Sequence, residues 1–297
     1  MPRLGHYRFS ETDVAKTFSN LGMWWDHLTT GIDATAAHIH GSLLSQFLAD
    51  VLGADVLGAD VLGADVLGAD GLQADVLGAD GLQADVLGAD DLGQRLTDLG
   101  RAAAARFAGN ESSAEAVAAL GLLWHAMRDA MESLRRAGVV STSGQGTVAR
   151  INVSGGGVPK SAVDRVEVSL GGIVGDRQRS RQHHGRPWQA LCLWSVEVID
   201  AFARDGHPIA PGAAGENLTL SGIDWSTVRP GVLLRVGTVL AEASAWAIPC
   251  RHNAQWFTDG DFNRMSHVRG PVARVYATVI ETGSINTGDA VRIVAQV

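Results

Sequence analysis

Lysine is almost absent from this sequence: Lys16 and Lys160 are the only two among 24 basic residues, the rest being arginine. No broad basic face emerges from those arginines, so nucleic acid is not an expected partner. Cysteine is equally scarce. Cys192 and Cys250 stand alone, too few for the disulfide framework of a small secreted domain, and both are expected to be free thiols. No apolar run reaches the roughly 18 to 20 residues that a membrane-spanning helix needs. The opening residues, Met1-Pro2-Arg3-Leu4-Gly5-His6, lack the short apolar stretch of a secretory signal. A soluble cytoplasmic protein with no membrane partner is the expectation.

What is present is globular. Over 297 residues the chain is 46% hydrophobic and 19% charged, enough for two ordinary domains with buried cores. The net charge of −8 has a local source, because the segment Ala49 to Gly93 holds ten aspartates and no Lys or Arg. The remainder is close to neutral.

That acidic segment is an internal repeat. From Ala49 it reads ADVLG four times, then ADGLQ, ADVLG, ADGLQ, ADVLG and ADDLG, nine units in all. One reading is a pentapeptide-like four-sided β-helix, but so few units build only a short stack, and Gly71 and Gly81 fall where a large inward residue is wanted. The favoured reading is tandem expansion within a helical region. A five-residue step turns about 140° around a helix, so Val and Leu spread over all faces, and the frequent glycines weaken it. Spacing or association, including a possible homo-oligomer, is its expected role.

Helix is expected on both sides of the repeat. Residues 11 to 48 carry Val14, Phe18, Leu21, Trp24, Trp25 and Leu28 at helical spacing. Ser113 to Ala137 is clearer: Ser113 opens it, an apolar stripe from Val117 to Leu134 runs along it, and Gly138 closes it. His27, His38, His40 and His125 show no metal-ligand spacing and read as ordinary surface or core histidines. Beyond the glycine-rich linker Ser141 to Gly146 the texture changes to short β-branched runs between turns. Val148 to Val153, Val163 to Ser169, Val232 to Val236, Val239 to Ala243, Val272 to Ile280 and Ala290 to Ala295 read as strands, and Ser195 to Phe202 as a helix among them. The expected fold class is therefore α+β, with a helical region over 1–140, carrying the repeat at 49–93, and a β-barrel-like domain over 146–297.

The two cysteines differ in setting. Cys192 lies in the apolar run Ala190 to Trp194 and reads as a small buried hydrophobe. Cys250 follows Pro249 and precedes Arg251 and His252, and neighbouring positive charge favours the thiolate that ligates metals. The stretch Asn152-Val153-Ser154-Gly155-Gly156-Gly157-Val158-Pro159-Lys160 resembles the opening motif of MOSC domains, named for the C-terminal part of molybdenum-cofactor sulfurase. Gly175-Asp176-Arg177, His184-Gly185, Gln189 to Leu193, Gly215-Glu216-Asn217-Leu218, Gly231, Arg235-Val236-Gly237 and Pro249-Cys250 follow in the family's order. The resemblance covers nearly all of the C-terminal half, and is to the small bacterial type related to 6-hydroxylaminopurine-reducing proteins.

That resemblance implies a molybdenum-cofactor (molybdopterin) oxidoreductase that reduces N-hydroxylated small molecules, with Cys250 as catalytic residue and metal ligand. It also implies a separate electron-donating reductase, since no flavin, haem or iron–sulfur motif is visible. Lys160, Arg177, Arg181, His184, Glu216, Asn217 and Arg251 are the candidate cofactor-binding residues. Plainer readings stand beside these. The glycine run can be a tight turn, Arg177 can pair with Asp176, His184 can be a hydrogen-bonding residue, and Glu216 can brace a loop through backbone N–H groups. Two other functions remain open: a sulfur carrier holding a persulfide on Cys250, and a non-enzymatic binding or assembly protein. The sulfurase's cysteine desulfuration is not expected, since no pyridoxal-phosphate domain is visible.

Overall fold

The computed structural model of the chain describes residues 17–20, 23, 89–109, 113–179 and 184–295. The chain falls into two compact units, one over Val14–Ala130 and one that takes in Met131–Val297.

In the first unit, helix α1 covers Ala89–Phe107 and helix α2 begins at Ala114 and runs to Arg136. The last repeat unit, Ala89 to Gly93, is thus helical, while units 49–88 lie outside the described residues. The helix expected over 11–48 also lies mostly outside them, although Thr17–Ser19 and Met23 are helical. Leu96, Leu99, Ala103 and Phe107 recur at spacings of three and four and are buried. The same holds along α2 for Ala116, Leu120, Leu123, Trp124 and Met127. Ser113 caps α2, its Oγ accepting the Ala116 N–H at 3.1 Å. Gly138, at φ +71°, ends it in the left-handed conformation that favours glycine.

The last turn of α2 belongs to the second unit. There Arg135 donates to Glu242 Oε1 at 2.6 Å and to the Gly231 carbonyl at 2.7 Å, with both side chains buried.

Seven strands of the second unit close into a barrel. In chain order β1 covers Gly144–Val153, β2 Ser161–Val163, β3 Arg165–Ser169, β4 Gly172–Ile173, β5 Leu191–Ser195, β6 Leu218–Ser221, β7 Leu233–Val236, β8 Val239–Trp246, β9 Val275–Glu281, β10 Gly283–Asn286 and β11 Ala290–Val294. Neighbours run β11-β7-β8-β9-β5-β6-β1, and a β11–β1 pairing closes the ring. Closure removes the exposed edges that an open sheet would leave. β2 extends β1 to one side, and β10, β3 and β4 form a separate three-stranded sheet. One junction is parallel, β5 to β6, and a parallel pair needs a crossover. Helix α3, Val196–Arg204, begins that crossover, with Ser195 accepting the Val198 N–H as its cap. Leu193, Leu218, Leu220, Leu234, Val236, Val275, Ala277 and Val291 fill the interior. Among the described residues no helix is long and apolar enough to cross a membrane.

Candidate functional site

The site builds up around loops at the ends of β1, β5 and β8. The chain leaving β1 turns at Ser154, whose hydroxyl donates to the Gly157 carbonyl at 3.0 Å and accepts the Gly156 N–H at 3.2 Å. Asp176 then ties three segments together. One oxygen accepts the Ser154 N–H at 2.8 Å, and the other accepts Lys160 Nζ at 2.6 Å and Asn217 Nδ2 at 2.9 Å. Both charged side chains of the Lys160–Asp176 pair are nearly out of solvent. Asn217 Oδ1 in turn accepts the Cys192 N–H at 3.1 Å, and its own N–H donates to the Cys192 carbonyl at 2.7 Å.

Lys160 Nζ and Asn217 Nδ2 therefore brace the loops through Asp176. Asp176 is held by Lys160, while Arg177 is exposed and joined to the network through its backbone N–H to Ser154 O, 2.9 Å. Gly212, at φ +87°, allows this closeness. A Cβ there would lie 2.6 Å from Lys160 O and 3.0 Å from Asn152 Oδ1.

Glu216 is wholly buried. Its Oε1 accepts the Gly212 N–H and, at 3.1 Å, the Thr219 hydroxyl, which is the loop-bracing role. Burial pushes its carboxyl pKa above the usual range, against the lowering effect of its backbone hydrogen bonds and of Arg274. Among the described residues, Glu216 Oε2, Asn152 Oδ1 and Arg274 Nε find no hydrogen-bond partner in this buried region.

The two thiols occupy opposite environments. Cys192, inside β5, is buried, and that burial pushes its pKa up to about 11. Cys250 is exposed. It stands at the start of a 3₁₀ helix, Arg251–Trp256, where Asn253 Nδ2 approaches its Sγ at 3.8 Å and the Asn253 N–H donates to its carbonyl at 2.9 Å. Arg251 and His252 beside it are exposed.

Tyr276 lies half-buried on β9. In the barrel register it faces Cys192 on one side and Ala245 on the other. Its hydroxyl lies 3.2 Å from His184 Nδ1. Burial raises the phenol's pKa, the charge of Cys192 and that of Cys250 add to the rise, and Arg274 and Arg186 oppose it. Arg274 is buried, donates to the Ala214 carbonyl, and through its own carbonyl accepts the Ala247 N–H of the segment leading to Cys250. Tyr276 and Arg274 carry no motif and are absent from the sequence-derived set. The available signal was that Tyr276 is one of only two tyrosines and sits in an apolar strand. Arg181 lies outside the described residues.

Residues 180–292, a span that includes β5 to β10, match the MOSC domain model. The chain is 30% identical over 131 residues to Protein YiiM of Escherichia coli (strain K12), covering 42% of this chain and 58% of that protein. It thus spans less than two thirds of that relative. The crystal structure of YiiM from Escherichia coli aligns with 51% of this chain and 71% of its own at 26% identity and a TM-score of 0.40. That of YiiM from Geobacillus stearothermophilus aligns with 50% and 75% at 23% identity and a TM-score of 0.39.

Among the described residues no group of three or more His, Cys, Asp or Glu side chains could hold a metal ion. The described residues therefore offer no cage for a bare ion. A metal that arrives with most of its ligands needs only one more, and the exposed thiol of Cys250 fits that requirement.

Proposed function

We propose that this protein is a molybdenum-cofactor-dependent oxidoreductase that reduces N-hydroxylated small molecules, with Cys250 as the protein ligand to the metal. The observation that carries the reading is the exposed Cys250 thiol at the head of a short helix. A soft thiolate suits such a metal, and the MOSC match over residues 180–292 supports the reading. When bound, the cofactor supplies a two-electron redox centre with an open coordination position. The chain's own groups bind and orient: Arg177 and Arg251, both exposed, offer cationic partners for a phosphate. Lys160, Asp176 and Asn217 keep the loops around the site in place. His184 and Tyr276 form a hydrogen-bonded wall. The net change converts N–OH to N–H and water, consuming two electrons and two protons, the electrons coming from a separate reductase.

Cofactor-loaded protein, given reduced viologen as electron donor and a hydroxylamino-purine as substrate, is expected to form the amine. Cys250→Ser, which replaces soft sulfur with hard oxygen, should lower the rate at least a hundredfold. Equal rates in the two proteins would refute the assignment. Sulfur label on Cys250, with no molybdenum bound, would mark a sulfur carrier instead.

A further inference from the structure

Cys250 opens the 3₁₀ helix Arg251–Trp256, so whatever fixes that helix fixes the thiol. Its near end follows on from β8, where the Ala247 N–H donates to the Arg274 carbonyl at 2.8 Å. The far end runs into Phe257 and Thr258, and both meet His207. The Thr258 N–H donates to His207 Nδ1 at 3.3 Å, and the Thr258 hydroxyl lies 3.1 Å from the same nitrogen. Phe257 is buried and packs edge-on against His207, with centroids 5.0 Å apart, and against Phe202, at 5.4 Å. His207 is itself buried and anchored. Its N–H donates to the Phe202 carbonyl at 3.1 Å at the end of α3, and its carbonyl accepts the Ile209 N–H at 2.8 Å. Because Nδ1 accepts a backbone N–H, its lone pair faces Thr258, and an aliphatic residue cannot replace it.

We propose that His207 is a positioning residue for Cys250, clamping the far end of the short helix whose first turn carries the thiol. The functional weight of this clamp rests on Cys250 being the working residue. The clamp itself is a property of the metal-free chain, and its test needs no cofactor.

Hydrogen exchange on the full-length, metal-free protein reads it directly. In His207→Ala the amides of Asn253, Phe257 and Thr258 should exchange roughly tenfold faster than in the wild type, the scale of losing a buried hydrogen bond and its packing. Amides of β7 and β11 should keep their wild-type rates. His207→Asn, whose Oδ1 can accept in place of Nδ1, should recover most of the protection. Wild-type exchange over 250–258 in His207→Ala would overturn the proposal, and so would acceleration spread equally over β7 and β11. If His207→Ala does not fold, Thr258→Ala removes the hydroxyl partner while leaving the ring, and should loosen the same amides to a smaller degree. Unchanged exchange there would count against the clamp. Uptake of molybdenum does not enter any of these readouts, so their failure and that of the oxidoreductase reading are distinguishable.

Discussion

Glu216 shows how burial, and not residue type, sets a role. A carboxyl whose pKa is raised on folding binds more protons in the native state than in the unfolded one, so stability falls as pH climbs from its ordinary range toward the raised value. Glu216→Gln keeps an oxygen for the Gly212 N–H and carries no charge. It should flatten that part of the profile, and be more stable than the wild type at alkaline pH in urea unfolding. A profile that retains its slope in Glu216→Gln would place the titration elsewhere. In the sequence, its proline and basic neighbours single out Cys250 as the candidate working thiol, and the apolar run around Cys192 made its burial legible. Asp176 was visible only as part of a motif, and its partner turned out to be Lys160. Tyr276, Arg274 and His207 were not legible, because barrel register and loop packing bring them to the site from positions with no sequence pattern between them.

At the scale of elements, the long periodic pieces were the readable ones. α2 spans Ala114–Arg136 against an expected Ser113 to Ala137, and α3 spans Val196–Arg204 against Ser195 to Phe202. Strand β5 was harder: all five residues of Leu191-Cys192-Leu193-Trp194-Ser195 are buried, so no alternation separates strand from helix. The short β6 and β10 owe their existence to pairing partners, Ile151 with Leu218 and Val166 with Ile285 for example. The buried Arg135–Glu242 pair was invisible for the same reason, its residues lying 107 positions apart. Removing one partner of such a pair strands a charge, so Arg135→Met should destabilise the second unit by about 3–5 kcal/mol. The double change with Glu242→Gln should recover a good part of it. A loss below about 1 kcal/mol for the single change, the range of exposed pairs, would show that the pair bears no weight.

For the molecule as a whole, the chemistry concentrates between Ser154 and Tyr276, and every described site contact falls within the unit that takes in Met131–Val297. None of those described contacts involves Ala89 to Gly93, and repeat units 49–88 lie outside the described residues. Excising Ala54 to Gly88, seven whole units, should therefore leave molybdenum content per chain at the wild-type level, with any change confined to oligomeric state as read by light scattering. Loss of bound metal in that deletion would assign the repeat a part in the site.

The central claim is that Cys250 holds a molybdenum cofactor, and its most direct test is metal and pterin analysis of protein made in a cofactor-competent host. Near-stoichiometric molybdenum and pterin in the wild type, both lost in Cys250→Ala, is the predicted result. Absence of molybdenum from both proteins, under conditions that load a control enzyme, would contradict it.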